Sequence, residues 1–135
     1  MKVVLDTNVF VSGIFFSGPP AQILKAWKDS RVQIVVSAEI IEEYRRVGER
    51  LAVAHPSISI APFLVLVALH GEVVLAPELP VQLCEDPTDD KFFACALAAG
   101  CSLIVSGDKH LHQASGFKGV VVHRPRAFVD EIMNA

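Results

Sequence analysis

Lys2-Val3-Val4-Leu5-Asp6-Thr7-Asn8 opens the chain, and its reading decides the fold. Lys2 to Leu5 is short, apolar and β-branched, which suits a strand buried on both faces. The run stops at a carboxylate. Working outward, the same kind of run recurs at Arg31 to Val36, Glu72 to Leu75, Ser102 to Ser106 and Gly119 to His123. Helical patterns fill the intervals. Gly18-Pro19-Pro20 opens a helix to about Ser30, with proline tolerated in its first turn. Ser37 suits the N-cap of a helix to about Ala54, which His55-Pro56-Ser57 breaks. Pro62 to His70 reads as a helix apolar nearly all round, and so well buried. Pro77 to Pro87 reads as a proline-punctuated loop. Asp90 to Ala99 reads as a helix stopped by Gly100, and Pro125 begins a terminal helix through Met133. Strands alternating with helices predict an α/β fold, with a parallel sheet of about five strands covered on both faces.

Composition sets the outer bounds. The chain has 135 residues, 52% apolar and 20% charged, which suits one domain over residues 1–135 with a real core. A net charge of −3 gives no general attraction to nucleic acid or anionic membranes, so any nucleic-acid contact needs a local basic patch. No apolar run reaches the length of a membrane span. The N-terminus passes straight into a strand pattern without a signal-peptide layout. Cys84, Cys95 and Cys101 lack metal-ligand spacing and are odd in number, so the expectation is buried, reduced thiols in the cytoplasm.

Four acids stand out: Asp6, Glu43, Asp90 and Asp108. Asp6 ends the first strand and Asp108 follows Leu103-Ile104-Val105-Ser106-Gly107. In open α/β sheets, sites form in the crevice at the carboxyl ends of strands. Ile40, Tyr44, Val47 and Leu51 form one helical stripe, and Glu43 lies on its edge while Glu42 and Glu49 lie away from it. Asp90 shares a helix face with Phe93, Ala94 and Leu97, which points it toward the sheet. Asp89 is the better helix cap and Asp86 the better turn residue. Each acid also has a plain structural reading. Asp6 and Asp108 suit turns, Asp90 a helix start, and Glu43 a pairing with Arg46 or Arg50. Carboxylates that converge repel one another unless a cation sits among them, and all-oxygen ligands suit hard ions.

These stretches resemble the four motifs of PIN-domain ribonucleases. Val3-Val4-Leu5-Asp6-Thr7-Asn8-Val9 resembles the first and Glu42-Glu43-Tyr44-Arg45-Arg46-Val47 the second. Asp86 through Ala94 resembles the third, and Ile104 through Leu111 the fourth. The chain is similar to bacterial VapC-like toxins of toxin–antitoxin pairs. The resemblance implies a three-layer α/β/α sandwich and RNA cleavage dependent on Mg²⁺ or Mn²⁺, with one or two ions. It puts Asp6, Glu43, Asp90 and Asp108 on the family's acidic positions, as metal ligands and catalytic residues. Ser106 stands where many members have threonine. Asn8 and Ser106 are candidates to support the ligands.

Several basic side chains could hold an RNA backbone: Arg45, Arg46, Arg50, Lys109, His110, Lys118, Arg124 and Arg126. Arg45, Arg46 and Lys109 are the nearest to the acids in sequence. Phe15, Phe16, Trp27 and Phe63 are the apolar candidates for a homo-oligomer or antitoxin interface. Two other acid-bearing α/β classes fit worse. A receiver domain needs an acidic pair after its first strand and an aspartate ending the third, where this chain has Asp6-Thr7-Asn8 and Leu75-Ala76-Pro77. A phosphatase using Asp6 as nucleophile wants an aspartate at Asn8. The remaining alternative is a non-catalytic Mg-binding signalling or protein-interaction domain.

Overall fold

Val3, Val4 and Leu5 have no solvent exposure, and they form the middle strand β1 (Lys2–Leu5) of a five-stranded sheet. The computed structural model describes residues 1–134. The remaining strands are β2 (Gln33–Val36), β3 (Glu72–Val73), β4 (Leu103–Val105) and β5 (Val121–His123), in the spatial order β3-β2-β1-β4-β5. Every pairing is parallel, with Lys2 against Gln33, Val4 against Ile104, Val35 against Glu72 and Leu103 against Val121. Ile34, Val35, Val36, Ile104 and Val105 are fully buried too, so both faces of the central strands are covered, as the apolar runs predict.

The helices are α1 (Thr7–Phe15), α2 (Pro19–Lys28), α3 (Ala38–Ala54), α4 (Ala61–His70), α5 (Asp90–Ala98), α6 (Lys109–Gln113) and α7 (Pro125–Ala127), the last continuing as a π-helical stretch, Phe128–Met133. The chain steps from β1 outward to β3, then crosses back to β4 and on to β5. Right-handed connections put α1 to α4 on one face and α5 and α6 on the other. α5 packs on β1, β2 and β4. The reversal of direction makes the gap between β1 and β4 the topological switch point of the sheet.

Some expectations give way. Asp6-Thr7-Asn8 reads as a turn in sequence, yet α1 begins at Thr7. Val9, Val11, Gly13 and Ile14 are poor helix formers, and burial of Val9, Phe10 and Val11 overrides their propensity. α6 is likewise unannounced in the sequence, being only five residues long. α4 is less buried than its composition suggests: Val67 is enclosed, but Val65 and Leu69 are 55% and 71% exposed. Phe15 and Trp27 are core residues, not surface anchors, and Phe63 is half-buried with the Lys28 ammonium over its ring. Phe16 alone of those four is exposed, edge-on to His55.

Candidate active site

Asp6 is the residue at which β1 becomes α1. Its backbone N–H donates to Val105 O at 2.9 Å, which ties it to the end of β4. Its carboxylate is buried and accepts a hydrogen bond from Ser106 Oγ at 2.6 Å. The same Ser106 oxygen accepts the Asp108 N–H at 2.9 Å. Ser106 is fully buried, so one hydroxyl links the ends of β1 and β4 across the switch point. Ser106 O is held by the His112 ring at 2.6 Å, and Gly107 O by Arg124 at 3.3 Å. The Asp6 carboxyl sits above its ordinary range. Burial is the main cause, Ser106 and the Thr7 amide oppose it, and Asp108 and Glu43 add to it.

Glu43 reaches this edge because Tyr44 fixes the register of α3. Tyr44 is fully buried, stacks on Phe10 with ring centroids 4.1 Å apart, and donates its hydroxyl to Leu5 O at 2.5 Å. Leu5 immediately precedes Asp6. Glu43 is therefore held at this edge by an anchor one residue away. Glu43 Oε2 accepts from the buried Thr7 hydroxyl, and Oε1 accepts from Lys91 Nζ at 2.8 Å, with Arg46 farther off at 3.6 Å. Lys91 also donates to Thr88 O at 2.7 Å. Glu42, one residue back, is exposed and pairs with Arg45.

The third acidic stretch divides its work in an order the sequence does not reveal. Asp86 accepts from the Thr88 N–H and hydroxyl, the turn role expected of it. Asp90 turns both oxygens to the backbone of the preceding loop, accepting from Leu83 N at 2.9 Å and Cys84 N at 2.7 Å. Asp89 precedes α5 but makes no side-chain cap. Its carboxyl is pushed up to about 6, chiefly by burial, then by Asp86, Asp108 and Asp6. Burial and the neighbouring acids thus act on Asp89, while Asp90 pins the loop.

Asp108 accepts the His110 N–H at 2.8 Å and so caps α6. Asn8 is exposed, and it is Thr7 that touches an acid. Arg45 lies along the outer face of α3 between Glu42 and Glu49. Lys109 is exposed beside Asp108. Thr7, Lys91 and Asp89 are the residues that motif spacing passes over. The one signal available for them was adjacency to Asp6 and Asp90.

Among the described residues, no three acidic, histidine or cysteine side chains form a ready-made coordination shell. The physical reason lies in the partners just named. Glu43 holds Thr7 and Lys91, and Asp90 and Asp108 hold backbone amides. The donor chemistry nevertheless suits a hard divalent cation, because the acids around Asp6 are all oxygen donors and their mutual repulsion raises Asp6. Cys84, Cys95 and Cys101 are buried and free, and burial pushes the Cys84 and Cys95 thiols up to about 12, so they are poor ligands.

A parallel sheet in this strand order, with acids at the switch point, defines the class of α/β proteins that work at the carboxyl edge of the sheet. The PIN domain family model matches residues 2–110, and the chain belongs to that family. PIN domains are generally nucleases acting on RNA, and they typically bind divalent metals. The chain is also similar to an uncharacterized protein of Methanocaldococcus jannaschii, MJ1680, with 26% identity over 114 residues, 82% of this chain and 73% of that protein. No helix of the described residues is long and apolar enough to cross a membrane.

Proposed function

We propose that this chain is a single nuclease domain, residues 1–135, that hydrolyses RNA phosphodiester bonds in the cytoplasm with Mg²⁺ or Mn²⁺. The observation that supports the reading is the Ser106 bridge at the switch point, whose hydroxyl donates to the Asp6 carboxylate and accepts the Asp108 backbone N–H. Asp6, Glu43, Asp90 and Asp108 are the proposed acid set, with Asp89 nearby. When bound, the divalent ion supplies an activated water and offsets charge on the phosphate. Ser106 orients the Asp6 carboxylate, and Thr7 orients that of Glu43. Lys109 and Arg124, beside the Asp108 loop, are better placed than Arg45 to meet an anionic backbone. Arg46 remains a candidate through its contact with Glu43.

The VapC-like resemblance extends this to a toxin held in check by an antitoxin. Exposed Val65 and Leu69 on α4, with Val73 and Leu75 at the β3 edge, support self-association. Purified protein should cleave RNA with Mn²⁺ or Mg²⁺ and stop when the ion is chelated. Expression should arrest growth, and Asp6→Asn should relieve the arrest. Cleavage without growth arrest would retain the nuclease and discard the toxin. The occupation of both Asp90 oxygens and of Asp108 Oδ1 by backbone amides favours one alternative, a non-catalytic Mg-binding or interaction domain. That domain would bind Mn²⁺ and cleave nothing.

A further inference from the structure

A cavity of about 520 Å³ opens beside the acids, between the start of α3, the start of α5 and the loop after β3. Its size lies within the range of about 300–1,000 Å³ usual for small-ligand sites. Lys91 joins it to the acids, lining the cavity while its ammonium holds Glu43. The cavity sits at the carboxyl ends of β2 and β3, and β2 is the neighbour of β1, which ends in Asp6. Asp90, one of the proposed acid set, also lines it, so the cavity borders the acids directly.

The lining is chemically specific. Leu79 and Ala94 supply an apolar wall, and Glu39, Glu78 and Asp90 supply carboxylates. Asp90 has both oxygens on the Leu83 and Cys84 amides, and the other two carboxylates are open to a ligand. Gln82 gives its amide protons to Cys84 O at 2.9 Å and Glu85 O at 3.1 Å, so its carbonyl oxygen is what remains for a ligand. Lys91 spends its ammonium on Glu43 and Thr88 O, and the Thr88 hydroxyl donates to Asp86, so the Glu39 and Glu78 carboxylates and the Gln82 carbonyl are the main groups left, and they accept. Three carboxylates disfavour a phosphate there. They suit a group that brings hydrogen-bond donors and no negative charge, and the apolar wall suits a flat ring.

We propose that this cavity seats the base next to the scissile phosphate and selects guanine. The inference rests on the nuclease reading above. Guanine carries two adjacent donors, N1–H and the N2 amino group, that match the two oxygens of one carboxylate. Adenine and cytosine each offer one exocyclic amino group, and uracil one imide N–H. Single-stranded RNA presents such edges once its bases are unstacked.

Two measurements test it separately. RNAs differing in one nucleotide are cleaved with Mn²⁺, and sites flanked by guanosine should be cut faster by about tenfold or more. The Glu39→Gln/Glu78→Gln double variant should bring that ratio close to parity. Both positions are exposed, and a thermal melt checks that the variant is folded. Cleavage with no base preference, unchanged in the variant, overturns the pocket and leaves the nuclease standing. The second measurement needs no metal and no turnover. Guanosine, adenosine, cytidine and uridine are titrated into the metal-free wild-type protein, and the amide NMR signals of Leu79, Gln82 and Ala94 are followed. Shifts with guanosine, and weaker ones with uridine, support the pocket even if no RNA is cut. No shift with any nucleoside overturns it. So do shifts produced only by an arginine-containing peptide, which would assign the cavity to a protein partner.

Discussion

Lys91→Met would separate the two roles that the Glu43 carboxylate now combines. The Lys91 ammonium sits on a carboxylate proposed as a metal ligand. Its Nζ is 2.8 Å from Glu43 Oε1, and both side chains are only 18% exposed. At an effective dielectric of 20, this separation corresponds to a gross attraction of about 6 kcal/mol. Desolvation of both ions cancels most of it, and a hydrogen bond between charged groups nets about 1.5–3 kcal/mol. A divalent ion reaching Glu43 must first displace Lys91 and give up that net term. Methionine keeps the aliphatic length and removes the competitor. Mn²⁺ affinity should therefore rise by about tenfold to a hundredfold, at 1.4 kcal/mol per decade. Without metal the variant should be less stable by about 1–3 kcal/mol, because the Glu43 carboxylate loses its Lys91 partner. For a domain of this size that is a fall of about 3–15 °C in Tm. Calorimetric titration with Mn²⁺ and melts with and without the ion measure both effects. Saturating Mn²⁺ should close the gap in Tm. Unchanged or weaker Mn²⁺ binding would refute the argument, since Lys91 would then not occupy a cation's place.

Asp6→Asn should abolish cleavage while leaving metal-free stability equal or slightly higher, because burial, Asp108 and Glu43 all disfavour its charge. A clear fall in Tm would assign Asp6 a structural role instead. Glu43→Gln should weaken Mn²⁺ binding and turnover strongly, while Glu42→Gln, on the exposed face with Arg45, should shift stability by less than about 0.5 kcal/mol. Equal losses at the two positions would mean that α3 does not present Glu43 selectively. Asp90→Asn should destabilise the protein by about 1.5–3 kcal/mol, because two backbone amides lose a charged acceptor. A large loss of Mn²⁺ affinity with unchanged Tm would show that Asp90 leaves the loop to bind the ion. Asp89 and Asp6 both have carboxyls raised in the folded state, Asp89 to about 6, so the folded protein holds their protons more tightly than the unfolded chain. Their contribution to stability is present below the ordinary carboxylate range, near pH 4, and is lost as pH rises through 6. Metal-free melts across pH 4 to 7 should therefore fall in Tm more steeply than those of Asp89→Asn, and an identical slope in the two would count against it.

Much of the fold was legible because the central strands carry their own signal. Val3-Val4-Leu5 and Ile34-Val35-Val36 are buried on both faces, so they read as unbroken apolar runs. Elements held by tertiary packing alone were less visible. α1 contradicts the propensities of Val9, Val11 and Gly13, and it forms because its apolar side chains find a core. α4 misled in the other direction. A helix apolar all round was expected to be enclosed, but Val65 and Leu69 face outward.

The site divides along the same line. Sequence alone determined which residue types lie at the carboxyl ends of β1 and β4, since strand ends and glycines are local features. It also determined that Glu43 and Glu42 differ, because helical periodicity separates neighbours by about 100°. Tertiary structure decided what each carboxylate touches. Asp90 and Asp89 are adjacent and chemically identical, yet one binds the Leu83 and Cys84 amides and the other is raised, chiefly by burial and then by Asp86, Asp108 and Asp6. Ser106 meets Asp6 across 100 positions of chain, and Lys91 meets Glu43 across 48. Such contacts depend on how the loop before α5 and the register of α3 come to rest against the sheet. No periodicity within either segment encodes that, because hydrogen bonds between distant segments are set by packing rather than by local conformation.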